Sequence, residues 1–315
     1  MEASEVRMTD DLQIKQLTVV RPRYGELLIQ GSLFLCALLS IVTTLGIVIA
    51  LIEPSIEFFS EVSLKEFFTT TTWAPLFNPP SFGVIPLITG TLVTTFWALL
   101  ICIPLGLGAA TYLSEYASPK TRSFLKPVLE VLAGVPTVVY GFFALTFVTP
   151  LLQSIWPVGE GPGVFNALSA GLVMGVMILP TIASLSEDAM SAVPGGLREG
   201  ALALGSNKAQ VSTRVVIPAA LSGIVAGFVL GISRAVGETM IVLVAAGGTP
   251  KLTFNPLEGM QTMTAFIASA GLGDQPTGST GYKTIFAVGA ALFAITFVMN
   301  MISIRLVRKY REVYE

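Results

Sequence analysis

SEDAMSAVPGGLREGALALGSNKAQVSTRVVIPAAL, residues 186–221, lies between two long apolar runs and carries more order than a linker needs. Pro194 with Gly195 and Gly196 breaks the chain, and a piece rich in Ala and Leu then favours helix. Gly205 ends that piece, and a second amphipathic piece leads to Pro218. Proline suits the first turn of a helix, so the next apolar run is expected to start as a helix there. The segment therefore predicts a short helix lying across one end of a bundle, closed by a glycine turn. A plain connection would use fewer residues and no helix of its own.

The flanking runs set the class. The chain has 315 residues, 53% hydrophobic and 12% charged, with a mean hydropathy of +0.76; soluble domains carry about 25% charged residues. A membrane-spanning helix needs about 20 mostly apolar residues. Six stretches qualify, near 27–52, 85–112, 127–152, 165–186, 216–247 and 284–304. The fold expected is all-α, a polytopic membrane protein with six transmembrane helices. Its domains are an N-terminal tail (1–26), the six-span domain (27–304, with the segment 187–215 inside it) and a C-terminal tail (305–315). The first 26 residues lack a short apolar core followed by a small-residue cleavage site, so the first run is expected to stay as an anchor.

Basic residues orient the spans. Arg7, Lys15, Arg21, Arg23, Lys120, Arg122, Lys126, Arg198, Lys208, Arg214, Arg305, Arg308, Lys309 and Arg311 fall on one side, against Lys65, Lys251 and Lys283 on the other. The positive-inside rule then makes both termini and the 187–215 segment cytoplasmic. The two long outer loops, 53–84 and 248–283, have apolar positions suited either to short interfacial helices or to docking of an outside partner.

Several chemistries fall away. There is no histidine, and Cys36 and Cys102 sit in apolar runs as small hydrophobes. No metal or cofactor is expected. No nucleophile–base pair or clustered Asp argues for an intramembrane enzyme. No G-x-x-x-x-G-K-[ST] phosphate loop occurs, "GSNKAQ" lacking its shape, so energy for any pump must come from a partner. An ion-gradient-driven secondary transporter would need deep acids, and only Glu238 is deep.

The order Glu199, Gly200, Ala201, three residues, Gly205, nine residues, then Val215-Val216-Ile217-Pro218 resembles the "EAA" signature of bacterial ABC-importer permeases, with Gly200 in place of the first alanine. The resemblance implies that the short helix is a cytoplasmic coupling helix, with Glu199, Gly200, Ala201 and Gly205 docking on an ATPase. Two longer stretches, 82–145 (FGVIPLITG…GVPTVVYGFFAL) and GFVLGISRAVGETMIVLVAAG (227–247), look like the PstC-type permease of the phosphate importer, within the binding-protein-dependent transport permease family. That likeness implies inorganic phosphate as cargo and the bacterial cytoplasmic (inner) membrane as location. It also implies a sister PstA-type permease, two copies of a cytoplasmic ATPase, and a periplasmic or lipid-anchored phosphate-binding protein. Sulfate or molybdate remain alternatives as cargo. No nucleic-acid partner is expected.

Arg234 and Glu238 stand alone as charges between Pro218 and Gly248. On a straight helical wheel both fall within roughly 20° of Gly227, on the face marked by Gly223, Gly227 and Gly231. Four residues apart, they are placed to interact. They read either as a buried locking pair or as a translocation-path site, with Arg234 beside the anion and Glu238 holding it. A guanidinium matches phosphate oxygens with paired donors. On a straight helix Arg234 would lie about 24 Å beyond Pro218, past the midplane toward the outer side. Weaker candidates are Gly134, Pro136 and Gly141 as a kink in the third span. Thr91, Thr94 and Thr95 are expected to bond their own backbone rather than line a path.

Overall fold

The computed structural model describes residues 24–156, 161–273 and 275–309. Residues 1–23 and 310–315, which make up most of the two expected tails, lie outside the described residues. The chain forms two units, one ending at Ile52 and the other beginning at Glu53. Helix α1 (Tyr24–Glu61) supplies the described part of the first unit up to Ile52, and its residues from Glu53 on belong to the second. Its Leu33, Phe34, Leu39 and Ile49 are all exposed, and an apolar surface on every side is what a helix in lipid presents.

The second unit follows on with α2 (Leu64–Thr69) and a two-residue hairpin, β1 (Trp73–Ala74) with β2 (Ser81–Phe82). Next come α3 (Ile85–Thr111, prolonged by a wide turn Tyr112–Tyr116), α4 (Pro119–Gly134), α5 (Thr137–Ile155) and α6 (Ala167–Ser191). They are followed by α7 (Gly195–Ala203), α8 (Lys208–Ala219), α9 (Leu221–Val236), α10 (Met263–Gly271) and α11 (Thr280–Lys309). Among the described residues, five helices are long and apolar enough to cross a membrane, and α8 with α9 makes a sixth if that bent pair is one span. The described fold is all-α apart from the hairpin.

Two expected spans are corrected. The third is not a kinked helix over 127–152. Gly134 ends α4, Val135 and Pro136 are extended, and α5 starts afresh at Thr137. The cause is local, because a proline pushes the residue before it out of the helical region. Helix α4 begins instead at Ser118, whose side chain accepts from the Thr121 amide, with Pro119 in the first turn.

The fifth span does not start at Pro218. Asn207 and Gln210 form a reciprocal capping box that starts α8 ten residues earlier. The helix then bends by 72° at Ala220 before α9 begins. Helix α9 stops at Val236, Gly237 caps it, and a separate wide turn, Val242–Ala246, follows. The apolar run 216–247 is thus two helices and a turn.

Helix α6 is the axis of the second unit. Helix α3 runs parallel to it, and the two backbones meet at glycines. A Cβ on Gly171 would sit 2.7 Å from Trp97 Cβ, one on Gly175 2.8 Å from the Ala98 carbonyl, and one on Gly106 2.8 Å from Ile182. Helix α9 runs antiparallel on another face of α6. Gly223 faces Ala189, Gly227 faces Leu185, and Gly231 faces Ile182 and Ile178, so the expected small-residue stripe is a packing face. Cys102, Met174, Met177, Ile178, Ile182, Ala235 and Ile241 fill the space between these elements.

At the far end of α3 the two long loops fold onto each other. Phe58, Phe67, Trp73, Phe82 and Phe266 pack edge to face, with ring centroids 4.9–6.2 Å apart. The apolar positions of these loops pack in part as short helices, α2 and α10. Lys283 ties this end together, bonding Glu61 at 2.8 Å and Glu57 at 3.2 Å.

Candidate functional site

Residues 195–203 form a short helix held against the ends of α3, α6 and α8. Helix α7 follows Pro194 and ends at Leu204, and Gly205 then turns the chain with φ +85°. That left-handed position favours glycine, as in many helix C-caps. The turn is closed by the Gly205 amide donating to the Leu202 carbonyl at 2.9 Å and the Ser206 amide donating to the Ala201 carbonyl at 3.1 Å. Ala201 rests against the apolar cluster of Val211, Val216 and Met190. Glu199, Gly200 and Gly205 face outward. So do Leu197, Leu202 and Leu204, the last 89% exposed. Three leucines are thus exposed on one short element.

Beneath α7 lies a set of ion pairs that sequence reading missed. Glu115, in the wide turn after α3, bonds Arg198 at 2.9 Å. The Arg198 guanidinium also donates to the Val193 carbonyl at 2.6 Å and the Met190 carbonyl at 2.7 Å. Beside it, the buried Glu187 accepts from Arg122, from Lys126 at 2.8 Å and from Ser191 at 3.0 Å. Lys126 also reaches Asp188 at 2.7 Å. Asp188 and then Glu187 hold the Lys126 ammonium above its ordinary pKa. In the sequence these basic residues served only to orient the spans. Their partners lie 61–83 residues away, beyond the reach of any periodic pattern.

Arg234 lies near the end of α9 and donates to the Thr181 hydroxyl of α6 at 3.2 Å. On α5, the Tyr140 hydroxyl donates to the Leu132 carbonyl at 2.8 Å. Thr181 is two residues past the midpoint of α6. The expected outward depth is therefore corrected. The bend at Ala220 removes the straight path from Pro218, and the Arg234 side chain meets α6 at mid-span.

The expected link to Glu238 is absent. Glu238 lies beyond the end of α9, so a wheel drawn through it does not apply. Its buried carboxylate accepts instead from the Met240 and Ile241 amides, at 3.0 and 3.2 Å, and starts the next turn. Among the described residues no ion pair joins Arg234 to Glu238.

The weaker candidates sort clearly. Gly134 and Pro136 mark a chain break, and a Cβ on Gly141 would lie 3.1 Å from the Met240 carbonyl, so Gly141 serves close packing. The Thr91 and Thr94 hydroxyls donate to the backbone one turn earlier, at 2.9 and 2.8 Å. Thr95 Oγ1 is buried without a partner among the described residues. A cavity of about 270 Å³ lies between α4, α6 and α9, lined by Lys126, Glu130, Thr181, Ser184 and Glu187.

A short helix thus sits between two membrane helices, with a bent span after it. The family model for the inner membrane component of binding-protein-dependent transport systems matches residues 102–312, and the chain belongs to that family. It is 35% identical over 315 residues to the probable ABC transporter permease protein YqgH of Bacillus subtilis, covering 99% of this chain and 98% of the relative. It is 34% identical to the phosphate transport system permease protein PstC of Xylella fastidiosa, covering 77% of this chain and 80% of the relative. Identity reaches 36% with the phosphate transport system permease protein PstC 1 of Mycobacterium tuberculosis, over 77% of this chain and 81% of the relative.

Among solved structures, a bacterial alginate ABC transporter chain superposes with TM-score 0.63 at 15% identity, over 92% of this chain and 98% of that one. An inward-facing chain of the MetNI methionine ABC transporter gives 0.53 at 21%, over 73% and 95%. These likenesses are of fold. The chain is a multi-pass inner-membrane ABC transporter permease, a transport subunit by kinship.

Proposed function

We propose that the chain is the PstC-type subunit of a phosphate ABC importer, moving inorganic phosphate inward on ATP hydrolysed by a partner. The observation that carries this reading is the set of relatives named as phosphate transport permeases, 31–36% identical over most of the chain. Membership of a binding-protein-dependent family implies an ATPase and a substrate-binding protein as partners. A PstA-type sister permease, paired ATPases and a periplasmic or lipid-anchored phosphate-binding protein complete the assembly. In this arrangement α7 faces the cytoplasm, in keeping with the distribution of basic residues, and docks on the ATPase through Glu199, Gly200, Gly205 and the outward leucines, with Ala201 seating the helix from behind.

Arg234 lines the anion's route at mid-span. Glu238 shapes the route from the following turn, rather than by pairing with Arg234. The domain boundaries are kept as tail, six-span domain and tail. The test is uptake into vesicles holding the full importer, with labelled phosphate competed by sulfate and by molybdate. Phosphate uptake that resists both competitors is the expected result. Displacement by either one would reassign the cargo.

A further inference from the structure

The geometry points to Arg198 as the positioning residue that carries movement of α7 into the membrane helices. This rests on the reading of α7 as the ATPase-docking helix and adds how that helix is fastened. Among the described residues, Arg198 makes the only side-chain hydrogen bonds from α7 to the rest of the chain. Its guanidinium joins three elements at once. Nε and one terminal nitrogen take the Glu115 carboxylate at the end of α3, at 3.3 and 2.9 Å. The terminal nitrogens also take the carbonyls of Met190 and Val193, at the exit of α6.

The Met190 carbonyl lies in the last turn of α6, at the negative end of its dipole, and also accepts from the Val193 amide at 3.2 Å; the Val193 carbonyl follows the helix. Glu115 has a side chain only 6% exposed, and a buried carboxylate left alone is strongly unfavourable. A planar fork with five fixed donors serves these diverging acceptors together, and an ammonium does not. The rest of α7 is a sliding contact, Ala201 against an apolar cluster. A push on α7 therefore either breaks charge-assisted bonds or drags the ends of α3 and α6. Helix α6 in turn holds Arg234 through Thr181, so the tie reaches from the docking surface to mid-span through one rigid element.

The experiment uses the complete importer in proteoliposomes and reads two quantities: ATPase retained per permease, and inorganic phosphate moved per ATP hydrolysed. Arg198→Met is expected to retain the ATPase and hydrolyse ATP while moving about tenfold less phosphate per ATP, the loss of a charged hydrogen-bond set. Arg198→Lys should fall between this variant and the parent. An unchanged ratio overturns the inference, as does a loss of ATPase with the ratio intact, which would leave Arg198 shaping the docking surface only. If Arg198→Met does not assemble, Glu115→Gln keeps the two carbonyl bonds and should lower the ratio by about threefold. Failure of both to assemble would assign the cluster to folding and overturn the inference. A separate control, Leu204→Asp, addresses the docking reading alone: undiminished ATPase retention there sinks that reading whatever Arg198 does.

Discussion

Gly223 offers the sharpest test of how α9 is seated on α6. A Cβ built there lies 2.4 Å from Ala189 Cβ, and the next atom it meets is Ala189 Cα at 3.6 Å. Carbon atoms rest at about 3.5–4.0 Å, so Gly223→Ala must spread the helices by an ångström or so or distort one of them. Overpacking of this kind costs about 1–3 kcal/mol. At Gly227 the same change meets Leu185 Cβ at 3.3 Å, a contact that a small shift relieves. The clash at Gly223 comes from one methyl group, so Ala189→Gly should remove it. The double variant merely exchanges the two residues between helices, and its helix-propensity terms, each about 1 kcal/mol, nearly cancel. The assay is thermal and denaturant unfolding of the purified permease for both single variants and the double. Gly223→Ala should be clearly destabilised, Gly227→Ala much less so, and the double close to the parent, with a coupling of at least about 1 kcal/mol between the positions. If Gly223→Ala matches Gly227→Ala, or Ala189→Gly fails to rescue it, the α6–α9 packing described above is wrong.

Three further outcomes are expected. Replacing Gly205 with leucine forces a left-handed backbone at φ +85° on a side chain that disfavours it by about 1–2 kcal/mol; membrane insertion should persist while ATPase co-purification falls, and full co-purification with full transport would count against the docking role. A cysteine placed at Ser206 should resist a membrane-impermeant thiol reagent added outside intact cells, since α7 faces the cytoplasm in the proposed topology; labelling would invert it. Arg234→Lys should transport poorly with the importer fully assembled, because a point charge replaces a planar fork, and transport near the parental rate would remove Arg234 from the anion's route.

How much of this was legible in the sequence depends on the range of the cause. Local signals read well. Pro194, Gly205 and the Ala-Leu piece between them placed α7, and the four-residue spacing of Gly223, Gly227 and Gly231 placed the α9 packing face. Hydropathy found the apolar runs but not their breaks, because a window averages across a turn. Val135 before Pro136 and the cap at Asn207 are single-residue signals inside apolar or amphipathic stretches, and both outweighed the longer pattern. The bend at Ala220 and the end of α9 at Gly237 then undid the straight wheel on which Arg234 and Glu238 were paired. Glu115 with Arg198, and Glu187 with Arg122 and Lys126, were out of reach for a different reason. Each pair is made by packing of helices distant in sequence, and nothing near either partner announces the other.

The placement of charge bears on the two roles open to Arg234. An arginine at mid-span costs about 2.5–3.5 kcal/mol on insertion scales, and a locking pair would offset that with a carboxylate. The chain has carboxylates near α6 and uses them elsewhere. Glu187, Asp188 and Glu115 neutralise Arg122, Lys126 and Arg198 at the α7 end, and Glu238 is committed to two backbone amides. Arg234 has five donors and, among the described residues, one side-chain partner, a neutral hydroxyl at 3.2 Å. A guanidinium left so incompletely satisfied by its own chain is a poor device for stability, because a neutral residue of similar size would pack there without the cost. It suits the proposed route, in which an anion arrives, binds through oxygens matched to the fork, and leaves, displacing a weak internal partner.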